Sequence, residues 1–71
     1  MKLNYYAETD SLYIDLAEAV SADSREISEG LVADFDERGN IVGLDIQHAS
    51  ELLDLSKIET DHLPLVAKRI A

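Results

Sequence analysis

Alternation of apolar and polar side chains is the strongest signal along the chain. In "LYIDL", Leu12, Ile14 and Leu16 fall on one side and Tyr13 and Asp15 on the other. This period-two pattern marks a strand with one buried face. A Tyr-rich run from Leu3 to Ala7 precedes it, and "ETDS" (Glu8 to Ser11) supplies turn residues between the two. The pair predicts a hairpin. A clearer pair follows: Leu31, Ala33 and Phe35 share one side of "LVADFD", and Val42, Leu44 and Ile46 share one side of "IVGLDI". Between them "DERGN" holds Asp, Gly and Asn, residues of hairpin loops, with Gly39 at the natural left-handed position.

The intervening stretch is less regular. Ala17 to Ser24 reads as a loop or a helical turn, "REIS" as a short strand, and Glu29–Gly30 as a second turn in which Gly30 takes positive φ. Beyond Ile46 the period changes. Ser50 is placed to cap a short helix over "ELLDL", with Glu51 near its positive end and Leu52, Leu53 and Leu55 folding back on the sheet. After a break at "SKIETD", Thr60 or Asp61 can cap a last helix that tolerates Pro64 only in its first turn. Leu63, Val66 and Ile70 sit there at helical spacing, and Lys68 and Arg69 lie near the C-terminal end; an arm that orders on a partner is the other reading of this tail. The expected fold is α+β: a small antiparallel sheet of four or five strands with one or two C-terminal helices, residues 1–58 forming a single β-rich domain and 59–71 a helix or arm.

Seventy-one residues make one domain. Without cysteine, neither a disulfide nor a thiolate metal site staples it, so oligomerisation or a partner is a natural source of extra stability. Fifteen acidic residues against six Lys and Arg give a net charge of −9. Such a surface repels nucleic-acid phosphates and attracts basic proteins. No secretory leader and no membrane-length apolar run is evident, which points to a cytoplasmic protein with no membrane contact.

The order of motifs adds a further expectation. "YYAETDSLYIDL" followed by "SREISEGLVADFDERGNIVGLDIQHAS" resembles domain-of-unknown-function family 2283. The likeness covers residues 5 to 55 and rests on Tyr6, Asp10, Leu12, Tyr13, Ile14, Leu16, Glu26, Gly30, Asp34, Asp36, Gly39, Ile41, Val42, Gly43, Leu44, Ile46, Ala49 and Ser50. It implies a small bacterial β-rich domain of uncharacterised role. It also implies an antitoxin-like, partner-binding function, since relatives are often encoded beside small toxins. In the family the resemblance implies, chains end near "AS" or vary after it, so the segment from Thr60 lies outside the resemblance.

Candidate chemistry centres on three carboxylates. Asp34 and Asp36 stand two apart on a strand, and Asp45 follows on the paired strand, so all three are candidates for one face. They could hold a hard cation or supply a general acid. The favoured reading is a hydrated face, with Asp36 bonding turn N–H groups. His48 and His62 are too few and too far apart for a zinc site, Ser50 has no adjacent base, and the glycines form no phosphate loop, so no cofactor is expected. Gly43 inside a strand reads first as a packing accommodation, and otherwise as a bulge or a close approach that lets Tyr5, Tyr6 or Tyr13 lie flat across the strand. Tyr6 and Tyr13 read either as a cross-strand pair or as interface anchors. The leading expectation is a non-enzymatic protein–protein interaction module. Leu63, Val66, Ile70, Tyr6 and Tyr13 would contact a basic protein or a second copy. A carboxylate site and a structural homodimer are the rivals.

Overall fold

Five strands form, three of them where the alternation is clearest. The structure, a computed structural model, describes residues 1–64. Its strands are β1 (Lys2–Tyr6), β2 (Ser11–Asp15), β3 (Asp23–Ser28), β4 (Leu31–Phe35) and β5 (Ile41–Ile46). They form one antiparallel sheet in the order β1-β2-β5-β4-β3. Both predicted hairpins are present, and pairing of β2 with β5 joins them. Gly30 and Gly39 take φ of +79° and +83° at the β3–β4 and β4–β5 turns, a region that penalises residues with a Cβ.

The register sorts the sheet into two faces. One row reads Tyr5–Leu12–Ile46–Leu31 and the next Leu3–Ile14–Leu44–Ala33. These rows form the apolar face. On the opposite face lie Asn4–Tyr13–Asp45–Val32, between these rows, and Lys2–Asp15–Gly43–Asp34–Ser24, beyond the second. A bulge at Asp34/Phe35 bends the turn end of the β4–β5 hairpin, and another sits at Glu26/Ser28. The outer strand β3 is exposed along its length and carries Asp23, Arg25 and Glu26, charges that discourage pairing with another sheet edge. Arg25 lies 4.0 Å above the Phe35 ring and shields it.

The core is thin. Among the described residues Leu12, Ala33, Val42 and Ala49 are the buried apolar ones. Ile14, Leu31, Phe35, Leu44 and Ile46 are half-buried. Each fully buried aliphatic side chain contributes about 1.5–3 kcal/mol, so few such groups leave little reserve.

The helical expectations are met only in part. One helix, α1, spans Ala49–Leu52, a single turn that starts earlier and ends sooner than "ELLDL" predicts. Ser50 lies inside it and does not cap it; His48 holds the N-cap position in a left-handed conformation (φ 54°) and makes no side-chain cap. The helix stops at the extended Leu53. Just beyond, the Asp54 carboxylate accepts the Ser56 N–H at 3.0 Å, a local bond that competes with a continued helix. Leu52, Leu53 and Leu55 remain exposed rather than folding back on the sheet, with Leu52 at 63%. Residues 60–64 are not helical, and Leu63 is half exposed to solvent. Val66 and Ile70 lie outside the described residues.

Candidate functional site

The site is built on the polar face around Tyr13. The Tyr13 side chain starts from β2, crosses β5 at Gly43, and donates its hydroxyl to Asp34 Oδ2 on β4 at 2.7 Å. Gly43 makes that crossing possible: a Cβ there would stand 2.0 Å from the Tyr13 hydroxyl oxygen and 2.7 Å from Cζ. The close approach suggested by a glycine within a strand therefore belongs to Tyr13. Asp34 accepts a second bond from the Ser24 hydroxyl at 2.6 Å, so one carboxylate ties β2, β3 and β4 together across the face. That bond, then burial, then the charges of Asp34, Asp15 and Asp45 raise the Tyr13 phenol to about 12.

Asp45 faces Tyr13 directly across the β2–β5 ladder. Its Oδ1 is enclosed and accepts no hydrogen bond from the described residues. Beside it opens a cleft of about 790 Å³, lined by Tyr6, Thr9, Ser11, Tyr13, Asp45, Gln47 and His48. Tyr6 forms one wall and is 55% exposed. The cleft is aromatic on two sides and bears one carboxylate. It can hold a group that is apolar or cationic in its body and offers N–H donors at its tip.

The three sequence-derived acids are not brought together. Asp34 and Asp45 share the face, but Asp36 leaves the strand after the bulge and organises the β4–β5 turn. Its Oδ1 accepts the N–H groups of Arg38 and Asn40, each at 2.9 Å. The bond from the Asn40 backbone is the largest of the effects that hold its carboxyl below the ordinary range. Asp36 thus has the turn role weighed above. Among the described residues, no group of three His, Cys, Asp or Glu side chains is arranged to hold a metal ion.

Tyr6 and Tyr13 share the face and the cleft but are not a direct cross-strand pair. Tyr6 opposes Ser11, and Tyr13 opposes Asn4. A second cluster lies at the end of the sheet. Asp10 accepts the Tyr5 hydroxyl at 2.7 Å, the Ser50 hydroxyl at 2.7 Å and the Ser50 N–H at 3.1 Å, while its carbonyl accepts the Ala49 N–H at 2.8 Å. Asp10 is therefore the cap of α1. Its carboxyl is held low, first by the Ser50 hydroxyl and then by Tyr5.

Thr9, Ser11 and Gln47 were not singled out by sequence. Alternation does place Ser11 with Tyr13, and Gln47 continues the spacing from Asp45, but nothing in the sequence reveals that the ladders bring them to one opening. Residues that carry the family resemblance prove to be partners of one another: Tyr13, Gly43 and Asp34 on the polar face, and Asp10, Ala49 and Ser50 at the helix start.

The pattern described as "Protein of unknown function (DUF2283)" matches residues 2–50. An uncharacterized protein of Methanocaldococcus jannaschii is 34% identical over 59 residues, which cover 83% of this chain and 50% of that protein. The chain thus spans about half the length of the curated relative it matches. No solved structure matches it.

Proposed function

The chain belongs to the DUF2283 family of proteins of unknown function, and we propose that it serves as a non-enzymatic protein–protein interaction module with a basic protein as its partner. The carrying observation is the open cleft whose lining includes Tyr6, Tyr13 and Asp45. Tyrosine gives a large contact area at little entropic cost, and aromatic anchors in pockets carry most of the energy of typical interfaces. A net charge of −9 steers basic surfaces toward it and works against association of two copies. Two of the three carboxylates a catalytic reading would use are engaged otherwise: Asp34 holds Tyr13 and Ser24, and Asp36 holds a turn, which leaves Asp45 alone at the cleft.

A photo-crosslinking residue at position 47, beside the cleft, tests this reading in lysate of the source organism. The expected product is an adduct with a basic protein that weakens as salt is raised. Position 27, on exposed β3, serves as the control. Adducts that form equally at both positions, or only with acidic proteins, would sink the proposal.

A further inference from the structure

We infer that the Tyr6–Tyr13–Asp45 cleft is a receptor for the side chain of a lysine or arginine presented by a protein chain. The inference rests on the interaction reading above and names the group recognised. Three observations converge on it.

The first is the orphaned acceptor. Asp45 Oδ1 is enclosed without a donor among the described residues. A carboxylate in that position lacks part of the compensation that water would give it. A cation held beside the same carboxylate supplies the missing opposite charge, which a neutral ligand cannot do.

The second is the orientation of Tyr13. Its hydroxyl proton is committed to Asp34, so the phenol oxygen presents lone pairs and the ring stays neutral. Tyr6, opposite Ser11 and exposed, supplies a second aromatic wall. Two neutral tyrosine rings beside a carboxylate attract an organic cation through the ring quadrupole and the charge together.

The third is the local charge. Tyr13 stands between Asp34, Asp45 and Asp15 on the polar face, with Lys2 the one basic side chain in those rows. A phosphate or carboxylate ligand would meet repulsion there. The cleft, at about 790 Å³, is larger than one lysine or arginine side chain needs. It therefore has room for the flanking residues of a peptide, which favours a protein source over a free amine. His48 at the rim is exposed and lies 3.6 Å from Glu51.

The test follows amide chemical shifts of the full chain on adding acetyl-Gly-Lys-Gly-amide and acetyl-Gly-Arg-Gly-amide. The neutral citrulline counterpart and spermidine are run beside them. The expected result is saturable shifts at Tyr6, Tyr13, Asp45 and Gln47 with both cationic peptides, and binding weaker by about tenfold with citrulline. Asp45→Asn, nearly isosteric, and Tyr6→Ala, at an exposed position, should each weaken the cationic peptides by a similar factor of about ten. Equal binding of citrulline, or shifts spread evenly over Asp23, Glu37 and Glu59, overturns the inference. Tighter binding of spermidine than of either peptide overturns the assignment to a protein side chain. A crosslinked partner at position 47 that survives Asp45→Asn leaves the interaction reading standing and overturns this one alone.

Discussion

Asp10 and Ser50, forty residues apart, are joined by three contacts: the serine hydroxyl reaches Asp10 Oδ2 at 2.7 Å, and its N–H lies 3.1 and 3.3 Å from the two carboxylate oxygens. The turn after β1 thereby caps the helix after β5. Asp10→Ala should release α1 while leaving the β4–β5 hairpin intact. Hydrogen exchange should then quicken at Leu52 and Leu53 and stay slow at Leu44. Unchanged protection at Leu52 and Leu53 would show that packing of Ala49, not the cap, holds the turn.

Acid should weaken the fold through Asp10, Asp36 and Asp54, whose carboxyls are all held below the ordinary 3.8. A lowered folded-state value contributes stability above the unfolded-state value and loses it as pH falls through the folded one. The loss belongs below about pH 4. Relief of the −9 net charge opposes it, so the comparison with Asp36→Asn isolates the group. The variant's urea midpoint should fall less steeply than the parent's between neutral pH and strong acid. Parallel curves would refute the assignment.

Tyr13 should ionise at about 12, held up first by its bond to Asp34. The raised value means the neutral phenol is favoured in the folded state. Its contribution is complete below the unfolded-state value near 10 and is lost as pH rises through about 12. Asp34→Asn should bring the late step in the tyrosinate absorbance back toward the ordinary value. No movement would place the cause elsewhere.

Gly43→Ala should destabilise by about 1–3 kcal/mol, because the new methyl occupies the path of the Tyr13 ring. In a Tyr13→Leu background the same change should cost much less, since alanine is otherwise the better strand residue. A double-mutant cycle from urea midpoints measures the coupling, and additive effects would contradict the crossing.

Gly39→Val should cost about 1–2 kcal/mol, the penalty of a β-branched residue in left-handed backbone. Nothing lies within 4 Å of a Cβ at that position, so the cost is conformational and not steric against a neighbour. Gly39→Asn should therefore be nearly neutral in thermal unfolding; a loss equal to that of valine would point to a contact instead.

The alternation of Leu12, Ile14, Leu31, Ala33, Leu44 and Ile46 was enough to define β2, β4 and β5 and the wet face, because a strand's period is local and its neighbours along the chain decide which side is buried, whereas β1 rested on its tyrosines and β3 on the short run "REIS". The turn glycines and the role of Asp36 were legible for the same reason: each depends on the backbone within a few residues. What lies around Tyr13 and Asp10 was not. Pairing of β2 with β5 places Tyr13 over Gly43 and opposite Asp45, and it brings Asp10 to Ser50. Those bonds join residues 21 and 40 positions apart, and no periodicity within one strand specifies which strand becomes its neighbour. The sequence determined the faces; the order of strands decided which side chains meet on them.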